Sequence, residues 1–201
     1  MARLQLNKSS LSRETGSLST YERFLPSLDL KRQQLMAERT KAARVLADTR
    51  EEIERLGRQV GQKLPMLANG DIDLTDLVRL TNVALSTENL VGTRLPILEE
   101  IEVEIKPYAL LAKPHWVDKV ATNLRDMLEL RIRVQVEEER IALLDAAVKT
   151  VTQRVNLFEK VLVPRTKSNI RRIKIFLSDE EMAAVVRSKI AKRKHATGGS
   201  I

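Results

Sequence analysis

The chain has 201 residues, of which 43% are apolar and 31% charged, but only 3% are aromatic and none is cysteine. The lack of cysteine excludes a disulfide scaffold, a thiolate metal site and a cysteine nucleophile, and 7 glycines and 6 prolines are too few for a turn-rich sandwich or barrel. Abundant Leu, Ala, Glu, Lys and Arg with few rings is typical of long helices and coiled coils.

The net charge of +8 is unevenly distributed along the chain. Residues 1–65 and 165–201 are basic, whereas residues 66–112 are acidic. A basic chain raises nucleic acid as a partner, but binding by stacking also requires aromatic rings near the basic groups. Phe176 is the one ring close to the basic residues that follow Ile170. We therefore interpret the charge as a solvated helical surface that ends in a basic tail.

The first predicted element is a long helix. Apolar residues recur three and four positions apart from Leu18 to Val60, as expected for a helix that packs against one partner helix. Pro26 lies within this pattern. Because proline lacks an N–H and clashes with the preceding turn, we expect a kink or a fresh start of the helix there.

We call the line of positions three and four residues apart, along which two helices pack, the seam. Two arginines, Arg32 and Arg39, occupy seam positions of this helix. We expect their charged ends to extend from the seam to solvent, as long basic side chains commonly do. The alternative is that they pair with an acidic residue of the partner helix, such as Glu138 or Glu159, and so fix the register.

An acidic middle region follows. Asp73 to Asp76 resembles a helix N-terminus and predicts a short helix that ends at about Asn82. Apolar and acidic residues then alternate with period two near Ile101, which predicts a strand. Residues 90–95 are its predicted partner strand, with the chain turning near Pro96, so we expect a small β-hairpin.

The hairpin carries three glutamates, Glu100, Glu102 and Glu104, on one face of a strand. Like charges so arranged repel each other unless a basic partner is present. We interpret this face as an interaction surface, with a solvated face as the alternative.

The second long helix is predicted over residues 117–181. Seven successive seam positions from Ile141 to Leu162 are apolar, and Pro164 predicts a second kink. If the two long helices fold back on each other, the numbers of facing residues sum to about 182. Leu162 then faces the region of Tyr21, and residues beyond about 181 extend past the first helix.

These patterns predict a mostly α fold, a long antiparallel two-helix coiled coil with a short helix and a small β-hairpin in its middle. We divide the chain into the N-terminal long helix (1–64), the acidic middle region (65–116), the C-terminal long helix (117–181) and a basic helical end and tail (182–201). The prediction is a rod with the basic tail at one end.

No residue pattern indicates catalysis. The glycines do not have the spacing of a phosphate-binding loop, and His115 and His195 are too few and too far apart for a metal cluster. We therefore expect no catalytic residues, no cofactor and no metal. No apolar stretch approaches the roughly 20 residues that span a bilayer, so we expect no direct membrane insertion.

The C-terminal half resembles a known family. Arg154-Val-Asn-Leu-Phe-Glu159 continuing to Pro164-Arg165, with the spaced isoleucines Ile170 and Ile173 and an acidic stretch after Leu177, looks like the signature of the D subunit of V-type and archaeal-type rotary ATPases. Residues 24–35 and 91–96 are similar to the family more loosely. A glycine-aromatic run usual near residues 16–25 is absent, so we interpret the chain as a divergent, bacterial branch.

This resemblance implies a non-catalytic central-stalk rotor subunit that transmits torque between a catalytic hexamer and a membrane ion-translocating ring. The implied partners are the catalytic and regulatory subunits of the hexamer, a small central-stalk partner subunit and a funnel-shaped membrane-side rotor subunit. The implied location is peripheral, on the cytoplasmic side of the membrane. Nucleic acid is not expected; the alternative function is a stand-alone basic coiled-coil module that binds nucleic acid with strong salt dependence.

Three sets of residues are the predicted interaction sites. The glutamates Glu100, Glu102 and Glu104 are assigned to partner contact or to stimulation of turnover. The signature contributes Arg154, Asn156, Glu159 and Pro164. The basic end is predicted to face an acidic sleeve, through Arg165, Arg171, Arg172, Lys174, Lys189, Lys192, Arg193 and Lys194.

Overall fold

The computed structural model describes residues 4–69, 74–108 and 114–198. Three α-helices, α1 (Lys8–Lys63), α2 (Val117–Leu157) and α3 (Val163–Gly198), account for most of this part of the chain. A 3₁₀ turn (Pro65–Asn69) follows α1, and a π-helical turn (Phe158–Leu162) joins α2 to α3. Two antiparallel strands, β1 (Val78–Leu90) and β2 (Thr93–Ile105), form a hairpin. The predicted mostly α fold, with a long helix from each half of the chain and a β-hairpin between them, is confirmed.

Helix α1 begins about ten residues before the apolar stripe. Asn7 caps it, because its side-chain Oδ1 accepts the backbone N–H of Ser10 at 2.7 Å. The helix continues without a break through Pro26, so the expected fresh start is not found. Close to this proline, the Ser27 hydroxyl donates to the carbonyl of Phe24 at 2.8 Å.

The prediction of a short helix that ends at about Asn82 is wrong. Strand β1 already begins at Val78, after Asp76 has taken a left-handed conformation with φ of 62°. The N-terminus-like pattern therefore marks a turn into a strand. Asp73, and Gly70 at the expected helix end, lie outside the described residues.

The hairpin is longer than predicted and turns elsewhere. Its pairing runs from Val78 with Ile105 to Leu90 with Thr93, and the turn is Val91–Gly92, with φ of 50° and 81°. Two left-handed residues make the tight turn that matches the twist of paired strands. Pro96, predicted near the turn, lies within β2 opposite Thr87. A two-stranded sheet tolerates it because each strand has an unpaired edge.

The chain forms two compact units, Met1–Leu30 with Val151–Ile201, and Lys31–Thr150. We call them the terminal unit and the hairpin unit.

In the terminal unit, the start of α1 lies antiparallel to the end of the chain. The rings of Tyr21 and Phe158 meet edge to face with centroids 5.3 Å apart, and Glu22 pairs with Lys167 at 2.9 Å. These residue numbers sum to 179 and 189, which lie on either side of the predicted 182. Val151, Val155 and Ile173 are buried along the seam.

A π-helical turn ends two residues before Pro164. Val163 donates its N–H to the carbonyl of Phe158, five residues back, so the turn holds one residue more than an α-helical turn. Leu162 is half-buried, Thr166 is buried and Arg165 is exposed, so the seam continues past Pro164.

In the hairpin unit, the rest of α1 packs against α2. Leu35 and Ala42 of α1 and Leu144 of α2 are buried. Arg39 pairs with Asp145, and their numbers sum to 184, which again confirms the register within the unit. Arg39 thus follows the alternative, a pair with an acidic residue of the partner helix, while its side chain stays 49% exposed.

Candidate interaction surfaces

The predicted site residues fall into both units. The signature residues and the basic end belong to the terminal unit, and Glu100, Glu102 and Glu104 belong to the hairpin unit. In the signature, Arg154, Glu159, Pro164 and Arg165 are exposed, and Asn156 is half-buried. The signature therefore coincides with the π-helical turn and presents most of its polar groups to solvent.

The basic end lies on α3. Arg171, Arg172 and Lys174 are exposed around the buried Ile173. Near the start of α1, Lys8 lies 3.9 Å from Glu181, and every side chain described from Glu181 to Lys194 is exposed. The prediction that residues beyond about 181 extend past α1 is confirmed within this unit. The exposed stretch contains the basic residues Lys189, Lys192, Arg193 and Lys194.

The same stretch carries an apolar stripe that the sequence pattern had not been taken to predict. Met182, Val185, Val186 and Ile190 recur at spacings of three and four and are all exposed. We call these four residues the apolar stripe of α3. Such a contiguous apolar strip on a helix surface marks an interaction site. The signal was in the sequence, since apolar residues three and four positions apart predict one apolar face of a helix.

The hairpin glutamates have the predicted arrangement. Glu100, Glu102 and Glu104 are exposed, and the apolar residues that alternate with them are half-buried. Glu104 lies opposite Arg79 in the register, yet in the described part of the chain none of the three forms an ion pair. The face is thus a cluster of free carboxylates, able to accept basic groups from a partner.

Arg140 on α2 is a further site residue that the sequence did not indicate. Its guanidinium donates to Glu38 of α1 at 3.0 Å, to Glu88 of β1 at 3.2 Å and to the carbonyl of Pro96 in β2 at 3.4 Å. The side chain is only 13% exposed. The contacts lie 44 to 102 residues away in the sequence, so no local pattern indicates them.

Glu137, one turn before Arg140, has a raised pKa. Burial is the main cause because it disfavours the charged form, and the nearby Glu38 acts in the same direction while Arg140 opposes it. Near the start of α2, the Tyr108 hydroxyl donates to Asp118, and this hydrogen bond raises the pKa of the tyrosine.

Two cavities of the hairpin unit differ in the character of their lining. One, of about 390 Å³, is a charged groove between β2 and the helices; its lining includes Glu100, Glu137, Arg133 and Arg140. The other, of about 330 Å³, is apolar and lined mainly by residues of α1 and α2. Within residues 4–69, 74–108 and 114–198, no group of acidic and histidine side chains could hold a metal ion, and no helix there is long and apolar enough to cross a bilayer.

Comparison with known proteins identifies relatives over nearly the whole chain. The family model that describes the D subunit of ATP synthase matches residues 10–193. The V-type ATP synthase D subunit of Borreliella burgdorferi is 33% identical over 192 residues, which cover 96% of this chain and 95% of that protein. The proteins of the same name from Chlamydia caviae and Chlamydia trachomatis serovar L2 are 29% and 30% identical over 198 residues, covering 96% of this chain and 94% and 96% of theirs.

Proposed function

The chain belongs to the family of ATP synthase D subunits, and on this basis we propose that it is the central-stalk rotor subunit of a V-type or archaeal-type rotary ATPase. In this role it transmits torque between the catalytic hexamer and the membrane ion-translocating ring, and it contributes no catalytic group itself. The observation that carries the proposal is the family match over residues 10–193, which includes the seam of both units.

The pairing of the helices supports a mechanical role. In each unit α1 packs antiparallel to the C-terminal half of the chain along a buried apolar seam. Interdigitated side chains resist sliding and bending because protein interiors are packed as densely as organic crystals. A helix pair built in this way transmits a push that is applied to its surface.

The exposed end of α3 is the part that we assign to the hexamer. It combines basic residues with the apolar stripe of α3. The basic residues would be attracted over long range to an acidic surface that surrounds them in the hexamer. This attraction would centre the helix pair without a fixed contact. The stripe would provide close apolar contacts. Because these contacts lack the directional geometry of hydrogen bonds, they would allow the helix to slide against the hexamer.

The other proposed partners are a small central-stalk subunit and a funnel-shaped membrane-side rotor subunit. We assign the free carboxylates Glu100, Glu102 and Glu104 to partner contact or stimulation of turnover. The protein would be peripheral, on the cytoplasmic side of the membrane.

The test uses an introduced cysteine, which is unique because the chain has none. Val185→Cys lies on the apolar stripe and is paired with cysteines placed inside the hexamer of the assembled complex. We expect disulfide formation to stop ATP hydrolysis and a reductant to restore it; Val185→Cys without a partner cysteine is the control. The proposal is wrong if the tagged chain does not copurify with nucleotide-hydrolysing subunits, or if the cross-linked complex turns over normally.

A further inference from the structure

The contacts of Arg140 are concentrated at one level of the hairpin. Glu88 is paired with Leu95 in the register, and Pro96 is the next residue of β2. Arg140 thus contacts both strands at neighbouring positions, close to the turn. Leu95 is fully buried at the same level. Glu38 ties this level to α1 as well.

The base of the hairpin is held by a separate set of contacts. Lys106 pairs with Asp76 at 3.1 Å, and its backbone N–H donates to the carbonyl of Leu77 at 2.9 Å. Leu77 is buried. About 30 Å of paired strand separates this base from the level of Arg140, since a strand rises about 3.3 Å per residue. These contacts join the two flanks of the hairpin to each other at its base, whereas Arg140 joins its outer part to both helices.

We propose that Arg140 is a latch that holds the outer part of the hairpin against the two helices, and that its release lets the hairpin pivot as a paired unit on its base. Within the latch, one guanidinium compensates two carboxylates. Removing it leaves Glu88 without its counterion and Glu38 with only Lys41, at 3.8 Å, a change that is costly for partly buried charges. The cross-strand pairing between β1 and β2 does not involve Arg140, so the two strands stay together when the latch opens.

Glu88 is the accessible half of the latch. Its side chain is 45% exposed, against 13% for Arg140. A lysine or arginine of a neighbouring protein could therefore reach Glu88 and compete with Arg140. The latch operates in the isolated chain and does not depend on the rotor assignment.

The first test measures a distance in the full-length protein. Spin labels are attached at Arg44→Cys on α1 and Leu85→Cys on β1, both exposed positions in a chain without cysteine. We expect one narrow distance distribution with Arg140 present and a second, longer population in Arg140→Met. The matched control is Arg133→Met, two turns earlier on α2 in the same groove, which should keep the narrow distribution. An unchanged distribution in Arg140→Met, or the same change in both variants, overturns the proposal.

The second test follows hydrogen exchange, which reports local opening. In Arg140→Met we expect the backbone amides of residues 85–98 that make no cross-strand hydrogen bond to exchange roughly tenfold faster, as for the loss of one charged hydrogen-bonded contact, while amides of α1 and α2 stay within about twofold. Glu88→Gln should give a smaller increase in exchange rate, roughly threefold. This variant tests the latch if Arg140→Met does not fold. Exchange in Glu88→Gln at the unaltered rate contradicts the latch.

Discussion

The terminal unit and the hairpin unit contain parts of the same α1 helix but are held together differently. In the terminal unit two helical segments share an apolar seam, and its cross-helix ion pairs, such as Lys8 with Glu181, are exposed. Exposed pairs of this kind contribute about 0–1 kcal/mol each. In the hairpin unit a third element covers the helices, and the shielded Arg140 joins it to them. The seam therefore supplies stability in both units, whereas charge fixes the position of an element only in the hairpin unit.

The largest expected effect comes from removing seam side chains. Leu144→Ala in the hairpin unit and Ile173→Ala in the terminal unit each truncate a fully buried residue, and we expect each to lower the free energy of unfolding by about 2–5 kcal/mol. Urea or thermal unfolding measures the change. If one variant alone is destabilised, the seam does not serve both units equally.

Matched controls lie beside each site. Leu143 is 39% exposed and Ile175 is 54% exposed, so their replacement by alanine creates little or no cavity. We expect the free energy of unfolding to change by no more than about 0.5 kcal/mol, as for ordinary surface substitutions. Equal losses at Leu143 and Leu144 would contradict the assigned seam.

The proline inside α1 provides the next prediction. Pro26 in a helix interior is about 3 kcal/mol less favourable than alanine, of which up to about 1 kcal/mol is offset because alanine makes the unfolded chain more flexible. We therefore expect Pro26→Ala to stabilise the terminal unit by about 2 kcal/mol in equilibrium unfolding. Ser27→Ala, at the neighbouring exposed position, is the control, and its free energy of unfolding should stay near that of the wild type. A destabilised Pro26→Ala variant would show that the proline is required by the fold.

The basic end of α3 should affect function more than stability. We expect reversal of Lys189, Lys192 and Lys194 to glutamate to reduce the coupling of hydrolysis to ion transport roughly twofold or more in the assembled complex, because the attraction to an acidic sleeve is lost. Helix content by circular dichroism should be unchanged. Coupling at the wild-type level would remove the electrostatic part of the proposal.

The smallest expected effect concerns Glu137 and pH. Its raised pKa means that the folded state holds the proton more tightly than the unfolded state, so the ionised form costs stability above the folded-state pKa. Glu137→Gln should therefore be slightly more stable than the wild type at pH 7, by less than about 0.5 kcal/mol. The difference should vanish below the ordinary glutamate pKa of 4.5. A difference that grows on acidification has the wrong sign for this explanation.

The sequence predicts the elements whose signals are local. The stripe from Leu18 to Val60 and the alternation around Ile101 follow from helix and strand periodicity, and the antiparallel register follows from the position of the intervening region. The strand Val78–Leu90 was missed because it is defined by pairing with β2, whereas its start resembles a helix N-terminus locally. The contacts of Arg140 could not be predicted because their partners come from three distant elements.

The most direct test of the central claim is rotation of a single complex during ATP hydrolysis. A bead is attached to the chain at Arg44→Cys, an exposed position of α1, with the hexamer fixed to a surface. If the chain is the rotor, the bead turns in one direction while ATP is hydrolysed and stops when ATP is withdrawn. A bead that stays fixed while the same complex hydrolyses ATP at its normal rate contradicts the assignment of the chain as the rotor.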